Sequence, residues 1–247
     1  MADVWQVYLA ETYTKSQTIN NNVSKSDKNF FPLHFFFCDN NMFLPLLALQ
    51  YHQVEIRISW GPHIQNVNNV AVYGNYIFLD TNERKTFVTN TLDFLITQVQ
   101  TIEGNKDSID LSFLKHPVKT IFFGYPQLGT GDYWTFTSAS LSLNGNYLLE
   151  NMSPSYFHTV QGYYHTKYGI MNLDSTTGSP VYTQYYMYNF CLDATSYTPT
   201  GSCNFSRLDN GKIQILDGNL SETITLYAVN YNVLRIKAGL GGILFSN

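Results

Sequence analysis

The chain has 247 residues, a formal net charge of -4, and 13% charged residues against 16% aromatic, with 19 Tyr and 17 Phe. Soluble domains average about 25% charged, so this surface must be dressed largely in Asn, Thr, Ser, Gln and Tyr, and few like charges keep copies of the chain apart. The acidic balance excludes a general grip on nucleic acid, which needs a cationic face to release counterions.

No apolar run is long enough for a bilayer-spanning helix: Phe30 to Phe37 is too short, and Phe43 to Leu49 is broken by Pro45. Met1-Ala2-Asp3-Val4-Trp5 lacks a basic stretch followed by an apolar one, so no secretory signal is expected. Cys38, Cys191 and Cys203 are widely spaced and odd in number, which reads as reduced, mostly buried thiols of a cytosolic product. The length suits one β-sandwich, or one and a fraction, and the second is favoured.

In chain order, Gln50 to Trp60 alternates, with Val54, Ile56 and Ile58 on one face and Gln53, Glu55, Arg57 and Ser59 on the other. That period predicts a strand buried on one side. Asp80-Thr81-Asn82-Glu83 predicts a helix to about Asn90, with Asp80 capping backbone N–H groups and Glu83 reaching back. Asn144-Gly145, Asn210-Gly211 and Asp217-Gly218 tolerate positive φ and predict tight hairpins. Ser153-Pro154 opens a second helix through about Val160, with Ser as N-cap and Pro in the first helical position.

Val181 to Leu192 predicts a strand with Tyr182, Gln184, Tyr186, Tyr188 and Phe190 on one side and Tyr185 and Met187 opposite. Aromatic on both faces, it lies either centrally in a sandwich or at a subunit interface. Glu222 to Ile236 alternates with Ile224, Leu226 and Ala228 on one face until Asn230 and Asn232 interrupt it. Gly239-Leu240-Gly241-Gly242 has no following helix to cradle a phosphate, so its glycines predict close backbone packing or an unusual turn. Many short strands with such turns make an all-β sandwich or barrel.

A search for chemistry returns little. The six histidines, His34, His52, His63, His116, His158 and His165, lack a compact metal pattern; His158 and His165 are not followed by a Glu until Glu222. No Gly-x-Ser-x-Gly elbow is present. Asp107 with Asp110, and Asp80 with Glu83, are carboxylate pairs by proximity alone, read as solvated loop charges and a helix cap. The sequons at Asn22, Asn151, Asn204 and Asn219 are expected by chance in an Asn-rich chain. No catalytic, cofactor-binding or metal-ligating residue is assigned, and no enzyme activity is expected. Trp60 and Trp134 could serve as stacking platforms for sugar rings, which keeps a lectin-like carbohydrate-binding module as the alternative.

Gly201-Ser202-Cys203-Asn204-Phe205-Ser206-Arg207-Leu208-Asp209-Asn210 and Tyr231-Asn232-Val233-Leu234-Arg235-Ile236 carry a resemblance. So do Leu44 to His52, Tyr76 to Arg84 and His116 to Lys119, in that order. Together they resemble the carboxy-terminal part of the major capsid proteins of nucleocytoplasmic large DNA viruses, which are double jelly-roll shell proteins. Met1 to Phe30 carries nothing that matches.

The resemblance implies an all-β chain: a second jelly-roll β-sandwich preceded by the terminal strands of an incomplete first roll. Residues 1–80 would hold those strands and the unmatched N-terminal segment, 81–90 a linker helix, and 91–247 the complete second roll. Either the chain is a fragment or Met1 to Asn29 replaces the missing strands; a fragment should expose unpaired edges between Phe31 and Leu79. The implied function is structural, a virion component made in host cytoplasm that self-associates into trimeric, pseudo-hexameric capsomers of an icosahedral shell. Partners would be copies of itself and neighbouring capsomers, with room for minor capsid proteins and no direct contact with nucleic acid.

The structural motif residues are Asn204, Phe205, Ser206, Arg207, Asp209, Asn210, Asn232 and Arg235. Asn204–Asn210 is expected to be a hairpin, with Ser206–Asn210 inside a sheet. Arg207 and Asp209, two apart on an extended segment, are expected to fix it through the rigid donor fork of Arg and turn hydrogen bonds.

Overall fold

A computed structural model of the chain describes residues 33, 35–38, 42–58, 71–124, 134–167, 185–219 and 223–246. Met1–Asn29, Trp60, His34, His63, Asn22 and Val181–Gln184 lie outside them. The described residues are mostly β, in ten strands: β1 Leu92–Gly104, β2 Ser108–Asp110, β3 Pro117–Gly124, β4 Ser138–Leu143, β5 Asn146–Met152, β6 Tyr185–Asn189, β7 Cys203–Asn204, β8 Gly211–Leu216, β9 Ile224–Lys237 and β10 Leu240–Ile243. One sheet runs β1-β9-β3-β6, with β7 also on β3 and β10 on β9; the other runs β2-β8-β4-β5.

The chain divides into two compact units, and the divisions fall inside β1 and β9: Thr97–Asn232 belongs to one, Phe35–Ile96 with Val233–Ser246 to the other. In the first unit the inward residues of both sheets meet in one core. Ile121 and Phe123 of β3, Ala139 and Leu141 of β4, Ile213 and Ile215 of β8, and Ile224, Leu226 and Ala228 of β9 all enter it. Phe123, fully buried, lies 5.5–6.4 Å by ring centroid from Trp134, Phe136, Phe157 and Tyr186. Such edge and offset contacts add to the area term.

The strand predicted from Glu222 is β9, with the expected face buried. Asn230 and Asn232 continue that face, and they too are buried. On β6, Tyr186 enters the core with Tyr188 and Phe190 packed against it, so these three share the predicted side. Its opposite face is covered by the chain's own helical segment. That segment runs from Pro154, as the Ser-Pro pair predicts, but continues through a π turn, Tyr156–Val160, into α2, Gln161–His165, so it passes Val160. Gln161 Oε1 accepts from the Asn189 backbone N–H (2.9 Å) and Nδ2 (3.1 Å), and Met187 packs so close that a Cβ at Gly162 would lie 3.3 Å from its methyl.

In the second unit, the Asp80 helix forms as predicted and is α1, Thr81–Thr89. Asp80 Oδ1 accepts from the N–H of Asn82 (2.8 Å) and Glu83 (3.1 Å), while Glu83 Oε2 accepts from the Asp80 N–H (3.0 Å). A small cluster of Ala48, Phe94, Ile96 and Ile236 forms the buried part of this unit, and Phe43 sets its ring edge-on to Phe87 and Phe94 at 5.5 Å each. Gly239 turns β9 into β10 at φ +83, and a Cβ there would strike the Tyr51 ring at 2.5 Å. Both readings of the glycine run, a turn and a close approach, are borne out.

Three local expectations are corrected. Among the described residues of Gln50–Trp60 no strand forms: residues 52–58 belong to no ladder, and Val54, Ile56 and Ile58 are exposed. Alternation sets side-chain direction, but a strand also needs a neighbour to hydrogen-bond. Asn144-Gly145 closes the β4–β5 hairpin at φ 49 and 80, whereas Asn210-Gly211 makes no such turn. Gly211 instead begins β8, where a Cβ would lie 3.2 Å from Leu111 and Leu143. Asp217 does take positive φ, 54, but leads to Asn219, whose Oδ1 accepts from the Thr135 N–H, and not into a returning strand. Of the thiols, Cys191 is buried, Cys203 half-buried and Cys38 exposed.

Because Phe123 is the ring that the others share, Phe123→Ala should lower the unfolding free energy by about 3–5 kcal/mol. Urea unfolding followed by Trp fluorescence checks this: the midpoint should fall with little change in slope.

Candidate motif sites and surfaces

Two of the sequence landmarks meet in space. Strand β7 pairs with the start of β3, Asn204 opposite Pro117 and Cys203 opposite Val118. Phe205 N–H donates to His116 O (3.1 Å), and His116 N–H donates to Ser206 Oγ (2.8 Å). Asn204 Oδ1 caps the following 3-10 turn, Phe205–Arg207, by accepting from Ser206 N–H at 3.1 Å. The Phe205 ring is buried beside Phe190. Asn204, Phe205 and Ser206 thus form a buckle between two strand ends. His116 adopts φ 67, a conformation a non-glycine residue keeps only when its surroundings hold it there.

The expected hairpin is absent. Ser206–Asn210 lies outside both sheets, as the 3-10 turn and the coil that follows it. Arg207 and Asp209 make no side-chain hydrogen bond or ion pair among the described residues, and both are exposed. What holds the coil is Asn144, the same residue that turns the β4–β5 hairpin. Its Oδ1 accepts from the backbone N–H of Asp209 (3.0 Å) and Asn210 (3.2 Å), and its own N–H donates to Asn210 O (2.9 Å). Asp209 and Asn210 contribute their backbone, so side-chain type gave no signal of the contact.

Asn232 and Arg235 lie on β9 facing β1, its neighbour in the sheet. Asn232 Nδ2 donates to Gln98 Oε1 at 2.8 Å, and two residues away Asn230 Oδ1 accepts from Gln100 Nε2 at 2.9 Å. Gln100 also accepts from Lys115 N–H (2.9 Å) and donates to Lys115 O (2.7 Å). Buried amides with specified partners penalise any slip of register, because a shifted pair leaves polar groups dry and unbonded. Arg235 forks onto Asp93 through two bonds of 2.7 Å. The fork assigned to Arg207 belongs to Arg235.

No constellation in the described residues prepares a reaction. Burial pushes the phenols of Tyr188 and Tyr231 up to about 12 and raises the thiols of Cys191 and Cys203, so none is an ionised nucleophile near neutrality. Asp110 is held low by the side-chain and backbone hydrogen bonds of Ser112, opposite to what a general acid requires. For Asp193, burial alone would raise the carboxyl, but hydrogen bonds from Thr195 and Ser196 and the Lys167 charge together outweigh it and the net direction is down. No three of His, Cys, Asp and Glu gather to hold a metal among the described residues. Trp134 is fully buried and cannot serve as a sugar platform. The outer face of β4 and β8 carries a shallow groove of about 370 Å³ lined by Ser138, Ser140, Asn151 and Gln214 and also by Ile215 and Leu216.

In the described residues of this two-sheet β protein, polar side chains hold loops and strand register. Comparison with known proteins supplies the family. Residues 127–242 match the family described as large eukaryotic DNA virus major capsid protein, and residues 9–80 match the major capsid protein N-terminus, which corrects the expectation that Met1 to Phe30 matches nothing. The chain is 35% identical over 277 aligned residues to the major capsid protein of Pyramimonas orientalis virus, covering 98% of this chain and 68% of that one. It is 29% identical to that of Paramecium bursaria Chlorella virus 1, covering 93% and 69%. A capsid chain in a quasi-atomic model of the PBCV-1 virus capsid shares the fold, at TM-score 0.70 and 23% identity over 99% of this chain and 79% of that one. The chain belongs to the family of major capsid proteins of large eukaryotic DNA viruses, a structural and non-enzymatic family of virion components with a jelly-roll fold.

The Arg235 hydrogen bonds hold the Asp93 carboxyl below its ordinary range. A carboxylate lowered on folding contributes stability above its unfolded pKa, which is lost as pH falls through the folded value. Arg235→Lys keeps the charge but not the planar fork, so the Asp93 carboxyl should titrate closer to its ordinary value, read by side-chain NMR titration. Gln100→Leu leaves Asn230 Oδ1 and both Lys115 backbone groups without this partner and should cost about 2–3 kcal/mol. Arg207→Lys should change stability by less than about 0.5 kcal/mol. Denaturant unfolding of the last two variants side by side checks both values.

Proposed function

We propose that this chain acts by association with its own kind, as a lattice-building capsid protein whose copies join into trimeric, pseudo-hexameric capsomers of an icosahedral shell. The observation that carries the reading is a capsid-family match over nearly the whole chain, joined to a chain in which only 13% of residues are charged. Such walls meet without crowding like charges. Burying their apolar parts yields roughly 25 cal/mol per Å², less the cost of ordering, and rotational symmetry closes each capsomer.

In this reading residues 91–247 form the second jelly roll, 81–90 the linker helix and 1–80 the remainder of the first. Asn204, Phe205, Ser206, Asn232 and Arg235 are its structural motif, with Asp209 and Asn210 contributing backbone. The role proposed for Arg207 lies at the surface it presents, since its side chain holds nothing within the described fold. Synthesis takes place in host cytoplasm. Contacts beyond the capsomer go to neighbouring capsomers and minor capsid proteins, and none to nucleic acid, in keeping with the net charge of -4.

Light scattering across a concentration series tests it. A trimer that grows in with concentration is expected, and a monomer at every concentration would overturn the association.

A further inference from the structure

The outer face of the second sheet carries polar side chains that the fold itself does not use up. Ala139 and Leu141 of β4 enter the core, so Ser138 and Ser140, one step away along the strand, point outward. Both are only 8% exposed: they are short, and the longer Leu216 and Gln214 of β8 stand opposite them in register. They form the floor of the groove of about 370 Å³. Ser108 of β2 also stands opposite Gln214. On the other side β4 meets β5 at a bulge, where Glu150 and Asn151 both fall between the pairs Ala139–Met152 and Leu141–Leu149. Asn151 takes φ 51 there and turns its backbone N–H to Ser140 Oγ at 2.9 Å. One row across four strands is therefore Ser108, Gln214, Ser140 and Asn151, all lining the groove.

Hydrogen-bonding capacity is left over along this groove. Ser138 Oγ makes no hydrogen bond among the described residues, although the residue is more than nine-tenths buried. A hydroxyl so enclosed has few waters to satisfy it, so a ligand group that pairs with it gains most of a hydrogen bond. Ser140 Oγ accepts from Asn151 and keeps its proton to donate, while Gln214 Oε1 accepts from the Tyr147 hydroxyl (3.3 Å) and its amide N–H groups stay free. The Asn151 amide makes no hydrogen bond among the described residues. Donors and acceptors standing side by side suit groups that are both at once, which hydroxyls are. Charge is balanced: Asp107 and Lys212 both line the groove, and Asp110 stands opposite Lys212 in the β2–β8 register, so an anion would meet two carboxylates for one ammonium. Strands β4 and β8 are each bonded on both sides, so neither offers an edge to a peptide backbone. Leu216, half exposed, and the methylenes of Lys212 supply apolar surface for the C–H face of a ring.

We infer that this groove binds a neutral sugar residue, whose hydroxyls bond to Ser138, Ser140, Asn151 and Gln214. The site uses polar side chains on a sheet face and no aromatic platform, so it is distinct from the Trp60 and Trp134 platforms that the sequence suggests. A groove of this volume is at the small end for ligand sites and is open to solvent, which sets a modest affinity, a Kd on the order of 1 mM.

The test is an NMR titration of the full chain, read at its backbone amides, with the methyl glycosides of glucose, galactose, mannose and N-acetylglucosamine as neutral probes and methyl glucuronide as the acidic one. Expected are shifts confined to 107–108, 138–140, 151 and 212–216 with at least one neutral probe, and weaker binding of the glucuronide. Ser138→Ala should weaken the binding about three- to tenfold, the loss of one hydrogen bond, without lowering the urea midpoint, since this hydroxyl holds nothing in the fold. Asn151→Gly keeps the positive φ and removes only the amide, and should weaken binding by a similar factor. Phe113→Ser, at an exposed position elsewhere in the same unit, should leave binding unchanged. No shift from any neutral probe, shifts outside the groove, undiminished binding by Ser138→Ala, or a glucuronide that binds as well as the best neutral probe would each overturn the inference.

Discussion

The ring cluster centred on Phe123 is the constraint on which the rest of the first unit depends. Five aromatic side chains from β3, β6, the segment before β4 and the π turn share one space, and none can shift without displacing the others. That fixes the gap between the sheets, which in turn fixes where strand ends emerge. The buckle of His116 with Phe205 and Ser206, and the grip of Asn144 on residues 209–210, join connections that arrive at those ends.

Polar residues inside this fold are spent on geometry. Gln98 and Gln100 with Asn232 and Asn230 specify how β1 lies along β9, and Gln161 ties helix to strand through Asn189. Glycoside or nucleophilic chemistry would need carboxyls raised or thiols lowered, and the displaced groups among the described residues move the other way. A shell protein gains from that arrangement. Its groups carry fixed hydrogen bonds, and its outward faces remain for contacts with other chains.

The two units differ in how completely they bury what they contain. The first covers both faces of β6, one with the aromatic core and the other with its own helical segment, so the double aromatic character of that strand is an internal matter. The second has a capped helix and a small cluster, with large apolar side chains such as Tyr73, Ile77 and Phe78 in solvent. A family that works by association supplies a physical context for such a surface, since partner chains can complete what one chain leaves open.

Local rules were enough for the features that depend on a few adjacent residues. Asp80 with Glu83 encodes a helix start because both halves of the capping box lie within four positions. Asn144-Gly145 encodes a hairpin because both residues tolerate positive φ. The alternation of Ile224, Leu226 and Ala228 encodes a buried strand face because the pleat has period two. The order of the landmark blocks also placed the chain in its family. What required the tertiary structure was every choice of partner. Asn210-Gly211 is as good a hairpin pair as Asn144-Gly145, yet Asn144 holds Asn210 in a coil and Gly211 begins β8; Gln50–Trp60 alternates like a strand, yet residues 52–58 join no ladder. The guanidinium fork belongs to Arg235 and not Arg207 because Asp93, 142 positions away, lies across from only one of them. Sequence sets which groups want partners; only the folded chain decides which partners are within reach.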